Sequence, residues 1–160
     1  MAELALSFRR LGPDRHAFSY RRPDGTGETV EMETHSLLRH DLIHFAVETE
    51  AHLRGSFFGI LAKVGGYEEL RVNGGQALGG EVAITERVVG AITGALGRED
   101  LDDEAFVAEA GEFLELFDEG RPRWFTPDFV RRVRERMRDL DGRWKATPFG
   151  EALELSFPLP

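Results

Sequence analysis

Thr34-His35-Ser36-Leu37-Leu38-Arg39-His40-Asp41-Leu42-Ile43-His44-Phe45-Ala46-Val47-Glu48-Thr49-Glu50-Ala51-His52-Leu53 is the segment that decides how the rest of the chain must fold. It carries four of the five histidines. On a helical wheel at about 100° per residue, Leu38, Leu42, Phe45, Ala46 and Leu53 share one face, and Ile43 and Val47 lie nearly opposite. A helix apolar on two sides is enclosed by other elements. Between those sides run His40, His44, Glu48 and His52, one turn apart, with Asp41 beside them. Polar groups enclosed in this way require partners. The partner is a protein group, a metal, or water in a cleft.

Upstream, Leu4, Leu6 and Phe8 alternate with Ala5, Ser7 and Arg9, the pattern of a half-buried strand. Phe18 and Tyr20 alternate with Ser19 and Arg21 in a second strand, and Val30 and Met32 with Glu31 and Glu33 in a third. Leu11-Gly12-Pro13-Asp14 and Pro23-Asp24-Gly25 read as turns between them. Three strands so closely connected predict an antiparallel meander, wet on the side that carries Arg9, Arg21, Glu31 and Glu33. At the far end of the chain Leu153, Leu155 and Phe157 alternate with Glu154 and Ser156, and Pro158 and Pro160 stop further pairing. Leu-Glu-Leu-Ser-Phe there echoes Leu4-Ala5-Leu6-Ser7-Phe8. Both termini are therefore expected in one sheet, the last strand beside the first or at an edge.

Downstream of the histidine segment, which Thr34 or Ser36 is expected to cap and Leu53-Arg54-Gly55 to end, the chain reads as helical. Phe57, Phe58, Ile60, Leu61 and Val64 form a short apolar helix. Residues 65–80 read as a loop punctuated by Gly65-Gly66, Gly74-Gly75 and Gly79-Gly80. Glu81 to Leu96 is a helix in which Gly90, Ala91, Gly94 and Ala95 let another backbone come close. Asp100 or Asp102 caps the next, with Phe106, Val107, Ala110, Phe113, Leu114 and Phe117 inward. Thr126-Pro127-Asp128 starts the last, along which Val130, Val133, Met137, Leu140 and Trp144 make a seam. The order of elements gives the α+β class: a four-stranded antiparallel sheet, three N-terminal strands plus the C-terminal strand, with four or five helices packed on one face. No repeat or linker divides the chain, so residues 1–160 are read as a single domain.

Composition narrows the function. A chain of 160 residues, 41% hydrophobic and 31% charged, is long enough for a proper core. It has no cysteine, which excludes disulfides and thiolate metal sites. The net charge of -9 argues against nucleic-acid binding, which depends on neutralising phosphates. Met1 to Leu11 alternates instead of forming a signal-peptide core. No apolar run is long enough to cross a bilayer, so no membrane role and a cytoplasmic location are expected. No phosphate-loop pattern is present. The acidic stretch Glu99 to Glu119 and the arginine-rich Arg121 to Lys145 invite a binding reading, carried by Arg131, Arg132, Arg134, Arg136 and Arg138. The simpler expectation is that the two segments complement one another or face water.

The chemistry is concentrated in the histidine segment. His40 and His44 lie four residues apart, so their rings can converge on one ion, and zinc or another divalent transition metal suits imidazole ligands. His40 and Glu48 are about 12 Å apart along a helix. A centre therefore uses His40 with His44, or His44 with Glu48, completed from elsewhere by His35, Glu81 or Glu86. Asp41 and Glu48 are the candidate catalytic carboxylates, as general base or further ligand. His40-Asp41-Leu42-Ile43-His44 resembles the HExxH signature of zinc metalloproteases over five residues, with aspartate in place of the glutamate that serves that family as base on metal-bound water. The resemblance implies a metal-dependent hydrolase with Asp41, one methylene shorter, in the base position. The spacing Asp41-x-x-His44 is similar to the carboxylate-x-x-His of di-iron helix bundles, which need further inward carboxylates.

The element order and the phrase His40-Asp41-Leu42-Ile43-His44-Phe45-Ala46-Val47-Glu48 also resemble a group of short bacterial proteins with no assigned activity, over most of the chain. That resemblance implies no reaction. Two classes follow from the residues. One is a small metal-binding protein or metal-dependent hydrolase built on His40 and His44. The other is a non-catalytic ligand-binding or protein-interaction domain, in which Asp41 and Glu48 satisfy neighbouring histidines or arginines. In the second class a small-molecule cleft is lined by His40, His44 and Tyr67.

Overall fold

The computed structural model describes residues 2–73 and 80–160. Alternation builds the sheet. Strand β1 (Glu3–Arg10) pairs antiparallel with β2 (Arg15–Arg21), and β2 pairs antiparallel with β3 (Gly27–Glu33). The C-terminal strand β4 (Ala152–Pro158) lies antiparallel against the free side of β1, giving the order β3-β2-β1-β4. The two Leu-x-Leu-Ser-Phe segments meet with Leu4 opposite Phe157, Leu6 opposite Leu155 and Phe8 opposite Leu153. Because side chains alternate with period two, this register puts all six on one face. Phe18, Tyr20 and Met32 join them in the core. The opposite face carries Arg9, Arg21, Glu31 and Glu154, all exposed. Its Arg15–Glu31 pair at 3.8 Å contributes little in water.

Six helices follow among the described residues: α1 (Thr34–Glu50), α2 (Phe57–Leu61), α3 (Tyr67–Asn73), α4 (Gly80–Ala95), α5 (Asp103–Leu114) and α6 (Pro127–Lys145). The fold is the expected α+β arrangement, with one more helix than the sequence reading allowed. That helix is α3, which lies where a loop was expected; residues 74–79 of the same stretch lie outside the described residues. The sheet explains α3. Glu28 of β3 turns inward, accepts the Tyr20 hydroxyl at 2.5 Å, and accepts the Tyr67 backbone N–H at 3.1 Å. Glu68 and Glu69 then suit the positive end of the new helix.

Helix α1 is enclosed as its two apolar sides require. Leu42, Ile43, Ala46 and Val47 are at most 1% exposed, against the sheet and helices α4 and α6. Its cap is Glu33, not Thr34 or Ser36. The Glu33 carboxylate accepts the backbone N–H groups of His35 and Ser36. The helix stops at Glu50, three residues before the expected end. His52 then sits in the left-handed region at φ 55°, the one described non-glycine residue with positive φ. A side chain there costs about 1–2 kcal/mol, while glycine loses about 0.5–1 kcal/mol in chain entropy. His52→Gly is therefore expected to stabilise the fold by about 0.5–1 kcal/mol in urea denaturation.

The arginine-rich helix proves to be internally and locally neutralised. Glu50 at the end of α1 receives Arg132 at 3.1 Å and Arg136 at 2.5 Å. Arg134, 6% exposed, pairs with Asp103 at 3.0 Å and stacks over Phe106. Arg131 and Arg132 both reach Asp128 one turn back. The acidic and basic segments thus complement one another in part, through α5, and in part the basic one is tied to α1. Asp102 and Thr126 cap α5 and α6, and Pro127 opens α6. No described helix is long and apolar enough to cross a membrane.

Candidate metal centre

Helical spacing puts His40, His44 and Glu48 in one row along α1, with Asp41 beside it. Burying α1 forces each of these groups to find a partner. Helix α4 supplies one. Val82, Thr85, Val88, Val89 and Ile92 bury one stripe of α4, and Glu86 sits at its margin, facing the row. Among the described residues His40, His44 and Glu86 form the group that could hold a metal ion: one donor atom from each lies within 4.8 Å of the others.

The two imidazoles are oriented alike. His44 Nδ1 lies 2.9 Å from Glu48 Oε2, and its Nε2 lies 3.0 Å from Glu86 Oε1. His40 Nδ1 lies 3.6 Å from Asp41 Oδ1, and its Nε2 lies 4.0 Å from Glu86 Oε2. The ring centroids are 4.7 Å apart in an edge-to-face arrangement. Each ring therefore turns Nδ1 toward a carboxylate of its own helix and Nε2 toward Glu86. Phe57 packs against His44 at 5.5 Å and closes the inner wall. His44 and Glu48 are buried, whereas the His40 and Glu86 side chains are 42% and 35% exposed. The group opens to solvent on the His40–Glu86 side.

His44 Nε2 makes no hydrogen bond, although Glu86 Oε1 is close. The carboxylate oxygen lies off the N–H axis. A buried ring nitrogen left in this state needs an explanation. Burial works against charge on His44, but the Glu48 hydrogen bond and the nearby carboxylates of Glu48 and Glu86 outweigh it and raise its pKa to about 10. Burial raises the pKa of Glu48, with the His44 contacts pulling the other way. Glu86 is partly desolvated too, yet His44 and His40 hold it below the usual carboxylate range.

The remaining candidates are placed as follows. Glu48 does not face the opening; its second oxygen accepts the Phe58 backbone N–H at 3.0 Å, which ties α1 to α2. Asp41 is 2% exposed and accepts the Tyr67 hydroxyl at 2.7 Å. Burial, reinforced by the Asp41 charge, raises the Tyr67 pKa. Of the three residues proposed to complete the group, Glu86 does so, while His35 and Glu81 are exposed and outside it. Tyr67 was expected to line a cleft; it is fully buried against Phe18 and Phe57 instead. The Phe58 N–H contact had no signal in the sequence, since it depends on how α2 approaches α1.

Among the described residues no arginine or lysine forms an ion pair with Asp41, Glu48 or Glu86; the side chains that meet them in this way are His40 and His44. Three carboxylates thus share two imidazoles at a mostly enclosed place. No protein-family model, no curated protein and no solved structure was found to match the chain.

Proposed function

We propose that the chain is a metal-binding protein whose centre takes one divalent transition-metal ion on His40 Nε2, His44 Nε2 and a Glu86 oxygen. One observation carries the reading: both rings aim Nε2 at the same carboxylate and Nδ1 at a different one. Histidine ligands characteristically hold the non-ligating nitrogen against a carboxylate, which fixes the tautomer and strengthens the donor. The His44 Nε2, buried without a hydrogen bond, and the three carboxylates around two imidazoles support the same occupant. Two imidazoles and one carboxylate suit zinc and its neighbours in the first transition series.

Three protein ligands would leave a coordination position free, and the exposure of His40 and Glu86 supports its facing solvent. A bound ion would activate water there, which is the basis for a metal-dependent hydrolase reading. Glu48 serves as the orienting carboxylate of His44 in this scheme, because its two oxygens are occupied by His44 and Phe58. The protein-interaction reading of the same cluster is kept by one contact, Glu48 with the Phe58 N–H, which a purely structural network would also use.

Elemental analysis and zinc titration calorimetry of the chelator-stripped protein test the proposal. The expected result is one tight zinc per chain, lost in His40→Ala and Glu86→Gln. Both substitutions are at partly exposed positions and should leave the circular dichroism spectrum intact. Absence of stoichiometric binding in the unaltered protein, or binding that survives both substitutions, overturns the reading.

A further inference from the structure

Asp41 and Tyr67 lie outside the ligand group, yet they form a buried pair directly behind its exposed histidine. Resting on the metal reading above, we infer that Asp41 is the positioning residue of His40, and that Tyr67 holds Asp41 in place for that task. The geometry is a chain of three. The Tyr67 hydroxyl donates to Asp41 Oδ2 at 2.7 Å, and Asp41 Oδ1 stands 3.6 Å from His40 Nδ1. The last contact is an ion-pair distance, longer than a hydrogen bond.

The arrangement repeats, at the other histidine, what Glu48 does for His44. Two short elements follow α1 in the chain, and each reaches back to one of its buried carboxylates. Helix α2 gives the Phe58 N–H to Glu48, and helix α3 gives the Tyr67 hydroxyl to Asp41. Tyr67 is itself fixed at both ends: its backbone N–H is on Glu28 of β3, and its ring packs 5.0 Å from Phe18 and 5.6 Å from Phe57. The phenol is thus set by the sheet, the carboxylate by the phenol, and the ring by the carboxylate.

His40 needs this more than His44 does. His44 is walled in by Phe57 and Glu48, whereas His40 is 42% exposed and has only the His44 ring and the more distant Glu86 beside it. A carboxylate at Nδ1 selects the tautomer with the proton on Nδ1 and the lone pair on Nε2, where the ion binds. It also lowers the number of orientations the ring must give up on binding. Loss of such an orienting group costs about 10–100-fold in metal affinity.

Nitrogen-15 NMR of the imidazoles in the zinc-free protein reads the tautomer directly, and competition against a chromophoric chelator reads zinc affinity. Unaltered protein should carry the His40 proton on Nδ1. In Tyr67→Phe and in Asp41→Asn the proton should shift toward Nε2, zinc affinity should fall about 10–100-fold, and the visible bands of the cobalt-loaded protein should change. Should Tyr67→Phe fail to fold, Asp41→Asn, which keeps the side-chain shape, and the unaltered protein still decide. A His40 proton on Nε2 in the unaltered protein overturns the inference. So does unchanged zinc affinity with an unchanged cobalt spectrum in folded variants. Failure of the unaltered protein to bind zinc at all would instead remove the metal reading, and the inference with it.

Discussion

Zinc added to the stripped protein is expected to raise its melting temperature by about 5–10 °C once the free ion exceeds its dissociation constant about 100-fold. An ion bound only by the folded state stabilises it by about 2.7 kcal/mol at that excess. A chain of 160 residues converts each kcal/mol into about 2–4 °C. The ion would link α1 to α4, two helices separated in the chain by α2 and α3, so the unfolded chain has no preformed counterpart to compete. His40→Ala and Glu86→Gln should melt at the same temperature with and without zinc. The increment should also depend on pH, in a direction the charges fix. Glu48 and Glu86 raise the His44 pKa above the neutral range. Zinc takes Nε2 only when the proton there leaves, so apparent affinity should fall about tenfold for each unit of pH lowered through the neutral range. Calorimetric melting at several pH values checks both statements. A zinc increment in either variant as large as in the unaltered protein, or one that grows on acidification, contradicts them.

The sheet was legible because its residues obey a short-range rule. Leu4, Leu6, Phe8 and Leu153, Leu155, Phe157 alternate strictly, and one face must be buried, so only one register satisfies both strands. Helix α1 was legible for the opposite reason: apolar residues on two sides leave it nowhere to go but the interior. Helix α3 was missed because Gly65-Gly66 and Gly74-Gly75 flank only a few residues, and what makes Tyr67 start a helix is Glu28, 39 positions earlier. The cap of α1 was misassigned by a residue or more because Glu33, the last residue of β3, reaches forward over Thr34.

In the candidate site, spacing alone identified His40 and His44 as a pair and placed Asp41 and Glu48 beside them. It offered Glu86 as one of three completions, and the packing of α4 on α1 selects it. Spacing could not say which carboxylate faces solvent. That depends on α2 and α3 folding back over α1, which seals Glu48 under Phe58 and Asp41 under Tyr67. The five-residue likeness to HExxH put Asp41 in the position of a base on metal-bound water. In the folded chain Asp41 is buried with one oxygen on a phenol and the other toward His40.

Glu48→Ala is expected to cost about 3–5 kcal/mol in equilibrium unfolding, the largest loss at any polar position of α1. Glu48 is fully buried, and its two oxygens satisfy His44 Nδ1 at 2.9 Å and the Phe58 N–H at 3.0 Å. Truncation strands both donors at once, and a stranded buried donor costs about 1–3 kcal/mol. Glu48→Gln keeps the volume and an acceptor for Phe58, so it should lose distinctly less. The informative comparison is the double variant His44→Leu with Glu48→Leu. Replacing both members of a buried ion pair by apolar residues of similar size is often neutral or stabilising, since no charge has to be desolvated. The double variant still strands the Phe58 N–H, at about 1–3 kcal/mol, so it should recover only the part of the Glu48→Ala loss that belongs to His44, while binding no zinc. Were it as unstable as the single truncation, the pair would be needed to hold α1 against α2, and the structural reading of the cluster would gain. Recovery of that part means that, apart from the Phe58 N–H, two leucines serve the fold as well as an imidazole and a carboxylate do. Packing would then give no reason for His44 and Glu48 to occupy the interior, and an ion held at His44 Nε2 supplies one.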